Sequence, residues 1–430
     1  MLVSPEEARR GITLCVLESV MSPRLTALAA VVLGLASTPA LSQYVFQGTI
    51  PIPASTSNTV GGQFQSYDIS FFDPTTRLDY VADRSNASVD IFSAITNTFV
   101  GRIGGSGGLF TGQTATTSTS GPDGVVVVPG QQVWAGNGNS TLLSFSLPTN
   151  AQLFPPIATG PASANRVDEL GYDPVSHQIL AANNAAAPAP FLTLVSTTTG
   201  AASAPIVFNG TNGTPNATNG IEQPAYDPFT NKFYVSVPQV NGAGPGGVAQ
   251  LDSNGNVTHF FDFSILGLGA GGVCGPTGLA AGAGGNLIVG CGDGGSSVIL
   301  HAADGVNGSI KVITQVGGED QVWYDPTTKR YFLSARNNPG GPVLGIIDAE
   351  TETFLQNIAT TPGDHSVAVD PVSGEVFVPF GAVAGNNICP NGCIGIFVPV
   401  PEPESYAMLL AGLGLMGLAA SRRKRKSRSA

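Results

Sequence analysis

The sequence predicts an all-β fold, and three observations carry the prediction. The first is composition. Of 430 residues, 56 are Gly and 32 are Pro, without a collagen period, and only 11% are charged. Turn formers at that density, beside 42% hydrophobic residues for a core, point to many short strands. The second is a recurring phrase, an apolar run entered through a polar residue and usually closed by Asp-Pro. It spans Tyr67 to Pro74, Val167 to Pro174, Ile221 to Pro228, Glu319 to Pro326 and His365 to Pro371, with weaker copies from Gly121 and Gly275. The third is the continuation of each phrase. Further β-rich runs such as Leu78 to Ala82, Ser88 to Phe92 and Thr98 to Ile103 are separated by turns. The entering polar residues lie at 68, 123, 168, 222, 277, 320 and 365, in steps of 43 to 55. Four short strands in each such repeat form a propeller blade. Seven copies predict a seven-bladed β-propeller over residues 43–399.

Taken in chain order, residues 1–42 read as a signal region. Glu6, Glu7 and Glu18 are wrong for an export leader, so Met21 is the expected true start. From there one Arg precedes an apolar run, Leu25 to Ala36. Small residues at Ala40 and Ser42 then set a signal-peptidase cut after Ser42. The alternative, a buried helix, is disfavoured because the run is short and strand-like sequence comes at once. That sequence, Tyr44 to Pro51, matches the fourth-strand phrase Thr98 to Ile103. The seventh copy has only three strands of its own, Ser366–Asp370, Glu375–Pro379 and Ile394–Val398. The N-terminal strand is therefore expected to complete the last blade and close the ring, hiding its open edges.

Within the blades the Asp-Pro pairs read as scaffold. Pro after Asp starts a type I turn between first and second strands. Asp252 to Asn256 has the start of a calcium loop but lacks further acidic ligands, so a plain turn is expected. Of five Cys, Cys15 lies in the leader. Cys274 and Cys291 flank a hairpin, and Cys389 and Cys393 bracket a tight loop. Two disulfides are expected in an exported chain, each worth about 2–4 kcal/mol. Zinc is the alternative, but neither pair is a Cys-x-x-Cys and they lie two blades apart.

The C-terminal residues 400–430 have three parts: Pro401-Glu402-Pro403, an uncharged apolar stretch 406–420, and a basic end. Arg422 to Ala430 alone carries six positive charges and no negative ones. This order resembles the PEP-CTERM sorting signal of bacterial exported proteins. The resemblance implies a short transmembrane helix over 406–420, transient or stable inner-membrane anchoring, and removal by an exosortase near the tripeptide. An ordinary single-span anchor is the alternative. Either way the body lies outside the inner membrane, in the cell envelope or extracellular matrix. The body itself resembles the YVTN-type (YVTN/NHL-like) propeller proteins, whose apolar strand ending at Asp-Pro recurs in five of the seven copies; the literal Tyr-Val-Thr-Asn is absent.

Charge narrows the partners. Residues 43–400 carry 9 Lys and Arg against 24 Asp and Glu, a net of −15. A body this acidic repels phosphate backbones, which excludes DNA and RNA. In a propeller the first strands start around one mouth of the central channel. Those positions are Asp68, Asp123, Asp168, Glu222, Thr277, Asp320 and His365, with Asp364 beside the last. Facing loops add Asp83-Arg84, Asn183-Asn184, Asp293 and Arg336-Asn337-Asn338. The candidate binding set is Asp68, Asp168, Glu222, Asp320, His365, Asn183 and Arg336. So many acids require water, protons or a cation. Oxygen ligands of this kind suit Ca²⁺ or Mg²⁺. The expected function is a binding or structural module, with exopolysaccharide or another envelope component as partner. The alternative is a metal-dependent lactonase or esterase at the channel mouth, by analogy with six-bladed gluconolactonase-type enzymes, from which no ligand set carries over. No nucleophile elbow or phosphate loop stands out.

Overall fold

The computed structural model describes residues 43–400, apart from 148, 270–272 and 305–306, and beyond them Gly414 and Met416. The expected leader 1–42, its cut after Ser42 and the sorting tripeptide Pro401, Glu402 and Pro403 lie outside the described residues. So does most of the 406–420 segment, of which Gly414 and Met416 are helical. Among the described residues no helix is long and apolar enough to cross a membrane.

The described residues of 43–400 form seven antiparallel sheets of four strands, each a meander. Blade one runs Tyr67–Asp73, Leu78–Asp83, Ser88–Ser93 and Thr98–Gly104. Its first strand is innermost. The first strands of successive blades neighbour one another around the whole ring, and that of blade seven meets that of blade one. The outermost strands of blades two and three shrink to Ile157–Ala158 and Ile206–Val207.

Blade seven has the mixed origin expected of it. Its strands are Ala368–Val369, Val376–Phe380, Cys393–Pro399 and, outermost, Tyr44–Pro51. The closing pair is antiparallel from Tyr44↔Pro399 to Pro51↔Cys393, with a bulge between Phe46 and Gly48. The bulge resets which side chains face inward. Tyr44 and Ile50 are both buried, while Val45 and Phe46 stay exposed. Tyr44 meets Phe332 edge-on at 5.2 Å and its backbone exchanges hydrogen bonds with the Gln356 side chain, at 2.9 and 3.0 Å.

The core is divided among the sheet interfaces. Among the described residues, seven clusters of buried side chains each bridge two neighbouring blades, and the seventh joins blade seven to blade one through Ile50, Tyr67, Phe72 and Ile394. Each sheet is apolar on both faces because both are covered, as their near-continuous Val, Ile and Phe runs require.

The Asp-Pro pairs are scaffold. Asp73 accepts from the Thr75 amide at 2.9 Å and the Thr76 hydroxyl at 2.8 Å. Asp173, Asp227, Asp325 and Asp370 repeat the arrangement. These turns lie on the face opposite the channel mouth. Both predicted disulfides form, Cys274–Cys291 and Cys389–Cys393, with Cα atoms 4.7 and 6.0 Å apart. Asp252 also caps a turn, accepting from the Asn254 and Asn256 amides.

Ring closure by this strand is testable through its two sides. Tyr44→Ala is expected to cost about 3–5 kcal/mol in chemical denaturation, as for other large aromatic truncations in cores. Val45→Ala, one residue along on the exposed side, is expected to change stability by less than about 1 kcal/mol.

Candidate functional site

The ring positions do converge. Close backbone contact makes this possible. The Ile69 amide donates to the Asp123 carbonyl at 3.3 Å, and the Gln321 amide donates to that of His365 at 2.9 Å. Gly124 follows Asp123 because nothing larger fits. A Cβ there would lie 1.8 Å from the Asp168 carbonyl oxygen. Asp68, Asp123 and Asp168 thus bring carboxylate oxygens within 4.8 Å of one another, and Asp68, Asp320 and His365 form a second such group.

The acids are neutralised by guanidinium groups from the chain itself. Arg84 is almost wholly buried. Its Nε donates to Asp123 at 2.5 Å, its Nη1 to the Tyr67 carbonyl at 2.6 Å, and its Nη2 to Asp68. Arg166 donates from Nη2 to Asp168 at 2.6 Å, and its Nη1 lies 3.8 Å from Asp68 and 3.7 Å from Asp123. Arg336 pairs with Asp320 at 3.0 Å. His365 stacks on Tyr67 with ring centroids 4.4 Å apart. Its Nδ1 donates to the Gly363 carbonyl at 2.7 Å, which turns Nε2 toward Asp68 at 3.6 Å.

Ca²⁺ and Mg²⁺ fit this arrangement poorly. In the Asp68–Asp123–Asp168 group the facing oxygens already accept from Arg84 and Arg166, whose charges would oppose a divalent ion. The Asp68–Asp320–His365 group offers an imidazole and two carboxylates, Asp68 held by Arg84 and Asp320 by Arg336, unlike the six to eight oxygens of a Ca²⁺ shell.

Other expected residues turn away from the mouth. Asn183 is fully buried, with Oδ1 accepting from the Thr159 hydroxyl at 2.8 Å and Nδ2 donating to Ser140 and the Arg166 carbonyl. Its neighbour Asn184, also buried, borders the cleft described below and accepts from Arg166 Nε at 3.4 Å. The Thr277 hydroxyl donates to the Glu319 carbonyl at 2.7 Å. Asp83 is spent on Asn86, and Asp293 on the Gly275 amide. Glu222 belongs to neither of the two close carboxylate groups. It lines a polar cleft of about 510 Å³ on the mouth face between blades three and four, with Asn184, Asn216, Thr218 and Asn219. Sequence reasoning missed Arg166 and this cleft. Arg166 lies two residues before Asp168, so an arginine entering a first strand was the available signal.

Burial raises the proton affinity of much of the remaining acid. Burial pushes the Asp68 carboxyl up, but Arg84, the neighbouring His365 and Arg166 more than offset this and hold it well below the usual range. Desolvation, then the charge of Asp320, pushes Glu222 up to about 8. Burial alone pushes Glu319, Asp364 and Asp79 to about 7. At Glu319 the hydrogen bonds explain the proton. Ser297 Oγ lies within reach of both the Val316 carbonyl and Glu319, and one hydroxyl proton cannot serve two acceptors. A protonated Glu319 supplies the second.

These shifts have a definite sign. A carboxyl whose folded pKa lies above its unfolded value of about 4 binds its proton more tightly when folded. The stabilisation is complete below about pH 4 and is lost as pH rises through 7 to 8. The melting temperature is expected to fall from about pH 5 to about pH 8.5. Glu319→Gln, which mimics the protonated acid, is expected to flatten that slope. A melting temperature that rises over this interval contradicts neutral buried acids.

Comparison with known proteins agrees with both ends of this description. Residues 399–424 match the PEP-CTERM protein-sorting motif, which implies export and processing by an exosortase. No curated protein matches the chain. Among solved structures, hydrazine synthase of Kuenenia stuttgartiensis is similar, at 12% identity and a TM-score of 0.57, over 78% of this chain and 95% of that one. At that identity the likeness is one of fold. The chain is thus a seven-bladed β-propeller bearing a PEP-CTERM protein-sorting motif at its C-terminal end.

Proposed function

We propose that this is an exported envelope propeller that binds a hydroxyl-rich ligand, an envelope polysaccharide, in the cleft between blades three and four. The observation that carries the reading is the cleft's wall. Asn184, Asn216, Thr218, Asn219 and a carboxyl at Glu222 line one concavity, and paired amide and hydroxyl groups suit vicinal hydroxyls. The surroundings are rigid, since Asn184 is braced by Arg166 and Arg166 by Asp168.

The chain's exit point supports the same reading. Val400 donates its amide to the Gln43 carbonyl at 2.6 Å. Both residues lie at the end of blade seven that carries the Asp-Pro turns, opposite the cleft. The recurring apolar phrase closed by Asp-Pro supports kinship with YVTN-type propellers.

A second reading, a metal-dependent lactonase or esterase, rests on the Asp68–Asp320–His365 group. It requires hydrolysis of a lactone or ester panel that is lost on chelation and in Asp320→Asn. Absence of turnover with Ca²⁺, Mg²⁺ or Zn²⁺ supplied removes it.

The binding reading is tested by retention of the purified propeller on polysaccharide from the producing organism's envelope. Asn219→Ala and Glu222→Gln are each expected to weaken retention about fivefold, the worth of roughly one net hydrogen bond. Retention unchanged in both variants places binding elsewhere, and no retention on any envelope fraction ends the proposal.

A further inference from the structure

Beneath the acid cluster the central channel widens into a cavity of about 420 Å³ that reaches the opposite face. Its wall is built from first strands. Phe71, Tyr172, Tyr226, Trp323 and Tyr324 each present a half-buried ring to it, and exposed prolines of the Asp-Pro turns form its rim. Phe71 and Trp323 meet edge-on at 5.0 Å, leaving the space to the side of blades two to five, where the wall is Val126, Gly171, Ala225 and Ala280. The hydroxyls of Tyr172 and Tyr226 are engaged by His177 and Asn231 at the turns. The rings therefore offer the cavity apolar surface.

One residue breaks this character. Glu169, 4% exposed, lines the end of the cavity nearest the acid cluster, and its Oε2 is buried without a hydrogen-bond partner among the described residues. Gln223, the other long polar side chain of the wall, is committed to the Leu279 amide at 2.8 Å. Among the described residues no Lys or Arg lines the cavity. Burial first, then the charges of Asp168, Glu222, Asp320 and Asp68, push the Glu169 carboxyl well above the usual range. A cationic partner would relieve that burial by giving the carboxyl a charged hydrogen bond. A buried carboxyl without a partner is costly, and an aromatic-walled space of this size is that of a small-ligand pocket.

We infer that the channel is a binding site for a small organic monocation with an apolar body, its ammonium group set on Glu169 and its body among Phe71, Tyr172, Tyr226 and Trp323. The charge supplies the missing partner of Oε2. Ring faces attract the same charge through their quadrupoles. A polyol would waste the apolar wall, and an anion would meet Glu169 and the acids behind it. The site is independent of the polar cleft, which opens on the other face.

Three probes of one shape test it: benzylammonium, benzyl alcohol and benzoate. The readout is Trp323 emission, with calorimetry beside it. The other tryptophan, Trp134, is fully buried with Nε1 donating to Gln132 at 2.7 Å, and serves as an internal reference. Benzylammonium is expected to bind at least about tenfold tighter than benzyl alcohol, the scale of a desolvated cation–π contact plus a charged hydrogen bond. Benzoate is expected not to bind. Glu169→Gln, close in shape, is expected to bring the amine down to the affinity of the alcohol. Trp323→Leu, followed by calorimetry, is expected to weaken both. Equal binding of amine and alcohol by the unaltered protein overturns the cation assignment. So does an amine preference that survives Glu169→Gln. No binding of any probe overturns the site.

Discussion

The pairing of Tyr44–Pro51 with Cys393–Pro399 is the constraint on which the rest of the molecule depends. An open row of seven sheets would leave two apolar faces and one unpaired edge in water. Joining the ends covers both faces, because Ile50 and Ile394 then share a core with Phe72 and Val81 of blade one, and it passes the open edge to the bulged strand Tyr44–Pro51. Closure also sets how near the first strands lie to one another. The innermost residues have no freedom to spread, and their side chains must be compatible at contact distance.

That enforced proximity explains the chemistry of the mouth. Carboxyls at the starts of several strands would repel if left unpaired. The chain answers with Arg84, Arg166 and Arg336, each placed to reach a carboxylate, and burial raises the proton affinity of acids such as Glu319 and Glu222. Burial raises the energy of every unpaired charge there. A buried arginine with three satisfied donors, as at Arg84, is a rigid rivet between blades one and two. The network is thus first a device of the scaffold, and it divides the channel into a polar mouth and an aromatic lower chamber.

The two faces of the toroid consequently differ. One bears the cleft between blades three and four and the arginine-paired acids. The other bears the Asp-Pro turns, the rim of the aromatic chamber and the point where the chain leaves at Val400.

Local rules in the sequence were sufficient for the blades, the disulfides and the closing strand. A turn at Asp73-Pro74, β-rich runs such as Phe233 to Val237 and a missing fourth strand in the seventh copy are read from neighbours along the chain, where backbone geometry and hydrogen bonding act over a few residues. The gathering of Asp68, Asp168, Asp320 and His365 came from the repeat register, because equivalent positions in a ring must meet. Which side chains neutralise them did not. Arg166 lies outside the repeated phrase, and whether Asn183 or Asn184 faces the cleft depends on the parity of a strand end. The chamber around Glu169 was likewise hidden. Its wall comes from six first strands far apart in the chain, and only folding brings one buried carboxyl opposite rings that share no local motif with it.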